Sequence, residues 1–227
     1  MKQKFTILFD LDGTLVDTAP DLMLAHNHVM KKFGYPTKST EEIRNLVGKG
    51  AGALIGRSIW GQAKKEFSKV LDDKIKDEMV KEFINFYGKN INNESTLING
   101  VKEFLIWCKE QNISMAVCTN KQERLSNDLL KKIGIYDFFE YVAGSDTFDY
   151  CKPDPRHLTN VVEILDGDVK KTIMIGDSET DANAAKAAEI PVILLENGYT
   201  EKNTTEIYHD HLIKDYIGIE KIISKYL

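Results

Sequence analysis

The stretch FTILFDLDGTLVDT, Phe5 to Thr18, runs an apolar segment straight into two carboxylates, Asp10 and Asp12, followed by Gly13 and Thr14. An apolar run without alternation suits a strand covered on both faces, as in a parallel sheet. Ending such a strand in two like charges is unfavourable. Two ionised carboxylates ~4 Å apart repel by roughly 4 kcal/mol at an effective dielectric near 20. A fold tolerates this where a cation sits beside them or one acid keeps its proton. Asp-Gly is also a turn signal, so the pair in isolation reads equally as a turn after a strand.

The rest of the chain repeats the strand pattern. SMAVC (Ser114–Cys118), TIMI (Thr172–Ile175) and PVILL (Pro191–Leu195) are further unalternated apolar runs, and YVAGSD (Tyr141–Asp146) is a weaker one. Between them lie helical patterns. VKEFLIWCKEQ places Val101, Phe104, Leu105 and Cys108 on one face. RLSNDLLKKIG does so with Leu125, Leu129, Leu130 and Ile133, and Gly134 ends it. TDANAAKAAE is rich in alanine, the strongest helix former. This alternation predicts an α/β fold with a doubly wound, Rossmann-like parallel sheet. The segment from about Thr18 to Thr96 has almost no strand-like run and reads as helices over 19–33, 40–47, 51–60 and 65–87, the last broken near Leu71. The expected organisation is a core of residues 1–17 and 97–227 with a small inserted helical cap over 18–96. The Asn-rich KNINNES (Lys89–Ser95) is read as the hinge back into the core.

Each apolar run stops in polar residues. The first ends at Asp10, the second at Thr119 and Asn120, and TIMI leads into GDSETD, with Asp177 at the strand end and Asp181 in the next helix. Lys152, in CKPDP, follows the weaker strand. In open α/β sheets ligands bind beyond the carboxyl ends of the strands, so parallel strands bring these groups to one edge. Clustered carboxylates suit a hard cation such as Mg²⁺. A cation and a lysine together leave such a cluster able to accept a phosphate, whose oxygens a threonine hydroxyl and backbone N–H groups can hold. A carboxylate can attack phosphorus, and a second one can protonate the leaving oxygen and then deprotonate water.

The bulk properties narrow the classes. The chain has 227 residues, 42% hydrophobic and 29% charged, with a formal net charge of −5, an ordinary globular composition. No basic block stands out, which argues against nucleic acid as a partner. No apolar segment approaches a membrane span, and the N-terminal apolar run is too short for a signal peptide. Cys108, Cys118 and Cys151 are odd in number and form no C-x-x-C pair, which fits a reducing, cytoplasmic location.

FDLDGTLVDT, VCTNK, KPDP and GDSETD, in this order, resemble the four motifs of the haloacid dehalogenase superfamily, and together they span nearly the whole chain. The resemblance implies Asp10 as nucleophile and Asp12 as general acid and base. It implies Thr119, Asn120 and Lys152 at the phosphate, and Mg²⁺ held by Asp10, Asp177 and the Asp12 backbone carbonyl with Asp181 in support. An acid at position 12 separates the phosphatase branch from the dehalogenases. LVDTAPDL, LVGKGAGALIGRSI and GDSETDANAAKAA are similar to phosphoglycolate phosphatases, which implies a small phosphomonoester substrate. On that resemblance Lys49, in the VGKG loop, would face a substrate carboxylate, with Arg57 as a second candidate. A phosphosugar mutase sharing the four motifs, or a non-enzymatic phosphoacceptor module, stays open at this stage, as does the oligomeric state.

Plainer readings stand beside these. Asp177 and Asp181 suit helix capping. Lys152, Lys49 and Arg57 suit exposed positions. His209 and His211 read as surface residues, His26 and His28 as structural, and Cys118 as buried packing.

Overall fold

The structure, a computed structural model, describes residues 4–63 and 73–227. β1 (Thr6–Phe9) leads through the two-aspartate loop into the short β2 (Val16–Asp17). Four helices follow: α1 (Ala19–Phe33), α2 (Thr40–Arg44), α3 (Ala51–Ala63) and α4 (Asp73–Lys89). β3 (Thr96–Leu97) then returns antiparallel to β2, pairing Val16 with Leu97. From there helix and strand alternate: α5 (Val101–Glu110), β4 (Ser114–Cys118), α6 (Glu123–Ile133), β5 (Tyr141–Ala143), α7 (Arg156–Ile164), β6 (Thr172–Gly176), α8 (Glu179–Ala187) and β7 (Val192–Leu195). β8 (His211–Ile213) and α9 (Glu220–Ile223) complete the chain.

Six strands form one parallel sheet in the order β5-β4-β1-β6-β7-β8. Both faces are buried, which is why the strands read as continuous apolar runs. Ile7, Phe9, Met115, Val117, Ile173 and Ile175 join one core cluster with α5 and α6. Leu8, Ala116, Cys118 and Met174 join the other, beneath α7 and α8. Successive side chains of a strand point to opposite faces, so one run supplies both cores. The fold is the doubly wound α/β sheet that the apolar runs predict.

α1 begins with Pro20 and Asp21 in its first turn, ends with Lys31 and Lys32, and is closed by Gly34 at φ 76°. These are favourable terminal residues for a helix dipole and a left-handed cap. It packs on α4, and α4 on α3. Leu22, Ala25, Leu54, Ile55, Met79 and Phe83 from these helices join the first core cluster.

Several details depart from the sequence reading. α2 stops at Arg44 rather than running to Val47, and α4 extends to Lys89. The break expected near Leu71 lies outside the described residues. In the segment read as the hinge back into the core, residues 93–95 are bonded to α1. The buried Asp21 carboxylate accepts the backbone N–H groups of Asn93, Glu94 and Ser95 at 2.9–3.1 Å, and the Ser95 hydroxyl at 2.6 Å. His211 lies in a sixth strand that the sequence reading lacked, half-buried, with Nε2 3.0 Å from the Tyr226 hydroxyl. His209 is also half-buried, with Nδ1 2.7 Å from the Ile207 carbonyl. His26 is buried against Ser58, and His28 pairs with Glu82 and stacks on Phe86, both structural contacts.

Candidate active site

The loop after β1 turns at Gly13, whose φ is +79° and where a Cβ would lie 2.1 Å from Asp177 Oδ2. Only glycine takes this backbone at so close an approach. Asp10 lies against β6, its N–H donating to the Ile175 carbonyl at 2.9 Å. Asp10 Oδ1 accepts the Leu11 N–H at 2.7 Å and lies 3.1 Å from Lys152 Nζ. Its Oδ2 accepts no hydrogen bond among the described residues.

Asp177 follows β6 and accepts the Tyr199 N–H on Oδ2 at 2.6 Å. Asp181 is held on both oxygens. Oδ1 takes Lys152 Nζ at 2.5 Å, and Oδ2 takes the N–H groups of Asp177 and Ser178 and the Ser178 hydroxyl. Ser178 and Asp181 form a capping box at the start of α8. Asp181 therefore both caps a helix and aims Lys152 at Asp10.

The charges do not balance within the protein. Three buried carboxylates, Asp10, Asp177 and Asp181, face one buried ammonium, Lys152. Burial pushes the Asp10 carboxyl up to about 6 against the pull of Lys152, and Asp181 and Asp12 add to the rise. Burial, then Asp181 and Asp10, hold Asp177 well above the usual carboxylate range. Burial lowers the Lys152 ammonium, but Asp10 and Asp181 outweigh it and its pKa ends above the ordinary lysine value.

Asp10, Asp177 and Asp181 each place a carboxylate oxygen within 4.8 Å of the others. Asp181 is already saturated by protein donors, so the open oxygens belong to Asp10 and Asp177. An all-oxygen donor set with a deficit of positive charge fits a hard divalent cation such as Mg²⁺.

Asp12 points elsewhere. Its Oδ1 accepts the Thr18 hydroxyl at 2.7 Å, and Lys121 Nζ bonds to Oδ1 and Oδ2 at 2.7 and 2.9 Å. Lys121 is buried, with its ammonium 4.4 Å from the centre of the Tyr87 ring. Thr119 and Asn120, buried at the end of β4, complete the floor. The Thr119 hydroxyl accepts the Lys121 N–H at 3.2 Å. The Asn120 amide donates to the carbonyls of Gly48 and Lys152, at 3.1 and 2.9 Å. It thus ties the VGKG loop to the core, while its Oδ1 is buried without a hydrogen-bond partner among the described residues.

Above this floor lies a cavity of about 310 Å³, bordered by Asp10, Asp12, Thr119 and Lys121, with Leu22, Leu54, Phe83, Ile84 and Leu125 among its walls. Lys49 borders it but is exposed. Arg57 does not border it. Its guanidinium donates to the carbonyls of Asn45 and Leu46 and pairs with Glu201.

Three residues that the sequence reading did not single out prove central. Lys121 was visible only as the last residue of VCTNK. Thr18 closes the opening stretch. Tyr199 is remote in sequence, yet its N–H holds Asp177 while its hydroxyl donates to Asp17 at 2.5 Å and accepts the Ala19 N–H at 2.9 Å. Burial raises Asp17, but hydrogen bonds from Arg44 and Tyr199 outweigh it and hold its carboxyl low. Cys118 is packing, as expected, its thiol pushed up to about 12 by burial.

The model of the haloacid dehalogenase-like hydrolases matches residues 7–195. The chain belongs to that family. It is 38% identical over 216 residues to a phosphoglycolate phosphatase of Caulobacter vibrioides, covering 95% of this chain and 89% of that one. It is 37% identical over 210 residues to a phosphoglycolate phosphatase of Mesorhizobium japonicum, covering 92% and 90%. A crystal structure of a predicted phosphoglycolate phosphatase from Haemophilus somnus superposes with a TM-score of 0.90 at 31% identity, covering 98% of this chain and 99% of that one. Among the described residues no helix is long and apolar enough to cross a membrane.

Proposed function

We propose that this phosphoric monoester hydrolase converts 2-phosphoglycolate to glycolate and phosphate through an aspartyl-phosphate on Asp10, with Mg²⁺ as cofactor. The observation that carries the reading is the open Oδ2 of Asp10 on the floor of a capped cavity that Asp12 also borders. Oδ2 forms a bond to phosphorus as the ester oxygen leaves, and Asp12 gives that oxygen its proton. Asp12 then takes a proton from the water that attacks phosphorus, and the Asp10–phosphorus bond breaks. Lys152 holds Asp10 and, with Thr119, faces the phosphoryl oxygens. Asp10, Asp177 and the Asp12 carbonyl would hold Mg²⁺, with Asp181 in support. When bound, the ion offsets the clustered negative charge of acids and phosphate.

The unpaired thiols, two of them buried, support a cytoplasmic location, and the size of the cavity, about 310 Å³, supports a small-molecule substrate. The test is release of phosphate from a panel of phosphomonoesters with Mg²⁺ and with chelator, and acid trapping of the acyl phosphate. Turnover should require Mg²⁺ and be abolished by Asp10→Asn. Near-normal turnover by that variant would sink the covalent route.

A further inference from the structure

The chemistry proposed above accounts for Asp10, Asp12, Lys152 and the acid cluster, but leaves Lys121 without a task. Its ammonium is a buried cation bordering the cavity, and its partner is the carboxylate assigned to the leaving group. Lys152 is held between Asp10 and Asp181, Arg57 is engaged with Glu201, and Lys49 is exposed. Of the cations bordering the cavity among the described residues, Lys121 is the buried one.

We propose that Lys121 selects the substrate, by transferring its ammonium from Asp12 to a substrate carboxylate placed next to the phosphoester. The inference rests on the phosphatase reading and narrows its substrate class to phosphate esters of 2-hydroxy acids. The argument is one of connectivity. The ester oxygen must meet Asp12 for a proton to pass between them. In such an ester the carboxyl carbon is two bonds from that oxygen, so it arrives beside whatever is bonded to Asp12, which is Lys121. Tyr87 steadies the ammonium there through its ring face. Tyr87 also lines the cavity, and its buried hydroxyl has no hydrogen-bond partner among the described residues. Apart from Lys49, exposed at the rim, the other walls are largely apolar and carry no cation to offset a second anionic group. Once the ammonium moves to the substrate, an Asp12 oxygen is free to face the leaving oxygen. A substrate without the carboxylate leaves the ion pair closed.

The test is a selectivity ratio, because a ratio taken on one variant cancels any disturbance of Asp12 common to both substrates. kcat/KM is measured for 2-phosphoglycolate and for 2-hydroxyethyl phosphate, which differs in replacing the carboxylate by an alcohol. Lys121→Met, which removes the charge and keeps an unbranched side chain, should lower the ratio by about tenfold to 150-fold, the range set by one charge-assisted hydrogen bond. Lys121→Arg should restore part of it. An unchanged ratio in Lys121→Met overturns the inference, as does a collapse confined to Lys49→Met. If the wild-type protein releases phosphate from neither these esters nor para-nitrophenyl phosphate, the phosphatase reading itself fails. A measurement on the wild-type protein needs no variant to fold. In a crystal with the inert isostere 3-phosphonopropionate, Lys121 Nζ should bond to the ligand carboxylate. An ammonium still on Asp12 overturns the proposal.

Discussion

Replacing Asp10 by asparagine should destroy turnover and at the same time stabilise the metal-free protein. In the folded chain the Asp10 carboxyl rises from its ordinary 3.8 to about 6, chiefly through burial. A raised carboxyl pKa means that the folded state holds a proton which the unfolded state has released. Stability is therefore lost as pH rises from about 4 to about 6, and the loss is complete above that window. The difference corresponds to about 3 kcal/mol at pH 8. Asparagine resembles the protonated acid, keeps an acceptor for the Leu11 N–H, and carries no charge to desolvate. With chelator at pH 8, Asp10→Asn should melt above the wild-type protein, by up to roughly 5–10 °C for a chain of this size. At pH 4 the two should converge. The assay is thermal unfolding followed by circular dichroism across this pH range in chelator. Equal melting temperatures at pH 8, or a lower one for the variant, would refute the claim that the acid cluster is electrostatically strained.

Other outcomes follow from the same geometry. Adding Mg²⁺ to the chelated wild-type protein should raise its stability by about 2.7 kcal/mol at a hundredfold excess over Kd, and the gain should shrink in Asp177→Asn; calorimetric or fluorescence melting checks this. Asp12→Asn should slow 2-phosphoglycolate hydrolysis by roughly 10²-fold or more, with a smaller deficit for para-nitrophenyl phosphate, whose leaving group departs without a proton; steady-state phosphate release measures both. His157 is buried, and burial and then Lys152 push its imidazole down to about 4. The unfolded state takes up a proton below the ordinary 6.5 while the folded state does not until about 4, so stability should fall as pH drops through that window. His157→Gln should flatten that part of the profile, by up to about 3 kcal/mol, read from urea midpoints. Asp21→Ala should destabilise the chain by about 3 kcal/mol, since three N–H groups lose a charged acceptor, measurable in the same urea series.

The legible part of this molecule was what repeats locally. Apolar runs such as SMAVC and TIMI announce strands buried on both faces, and their polar ends mark the edge where ligands bind. β8 escaped because HLI is short and only its last residue, Ile213, is buried, so no run forms. β2 and β3 hold two residues each, too few for any period. Asp10 and Asp177, the acids proposed for the site, were readable because each directly follows a strand. Lys121 was not, because nothing in TNK tells whether a flexible lysine turns toward solvent or toward Asp12. Lys49, flanked by glycines, was read from the sequence as facing a substrate carboxylate; it borders the cavity from an exposed position. Tyr199 and Asp21 make their bonds across 180 and 72 residues, separations that local pattern cannot register.

Asp177 is walled in by residues with no side chain. A Cβ at Gly13 would fall 2.1 Å from its Oδ2, and one at Gly198 would fall 1.8 Å from its backbone oxygen. This socket has no clearance for change, since the smallest addition displaces the carboxylate on one wall and the backbone carbonyl on the other. The helices across the cavity lie apart from that socket. Ile84, half-buried on the cavity wall, can change without touching Asp177, whereas Leu54 and Phe83 also carry the core. An effort to turn this scaffold toward another phosphomonoester therefore has its whole adjustable range on the helical side, with the phosphorus chemistry inherited unchanged.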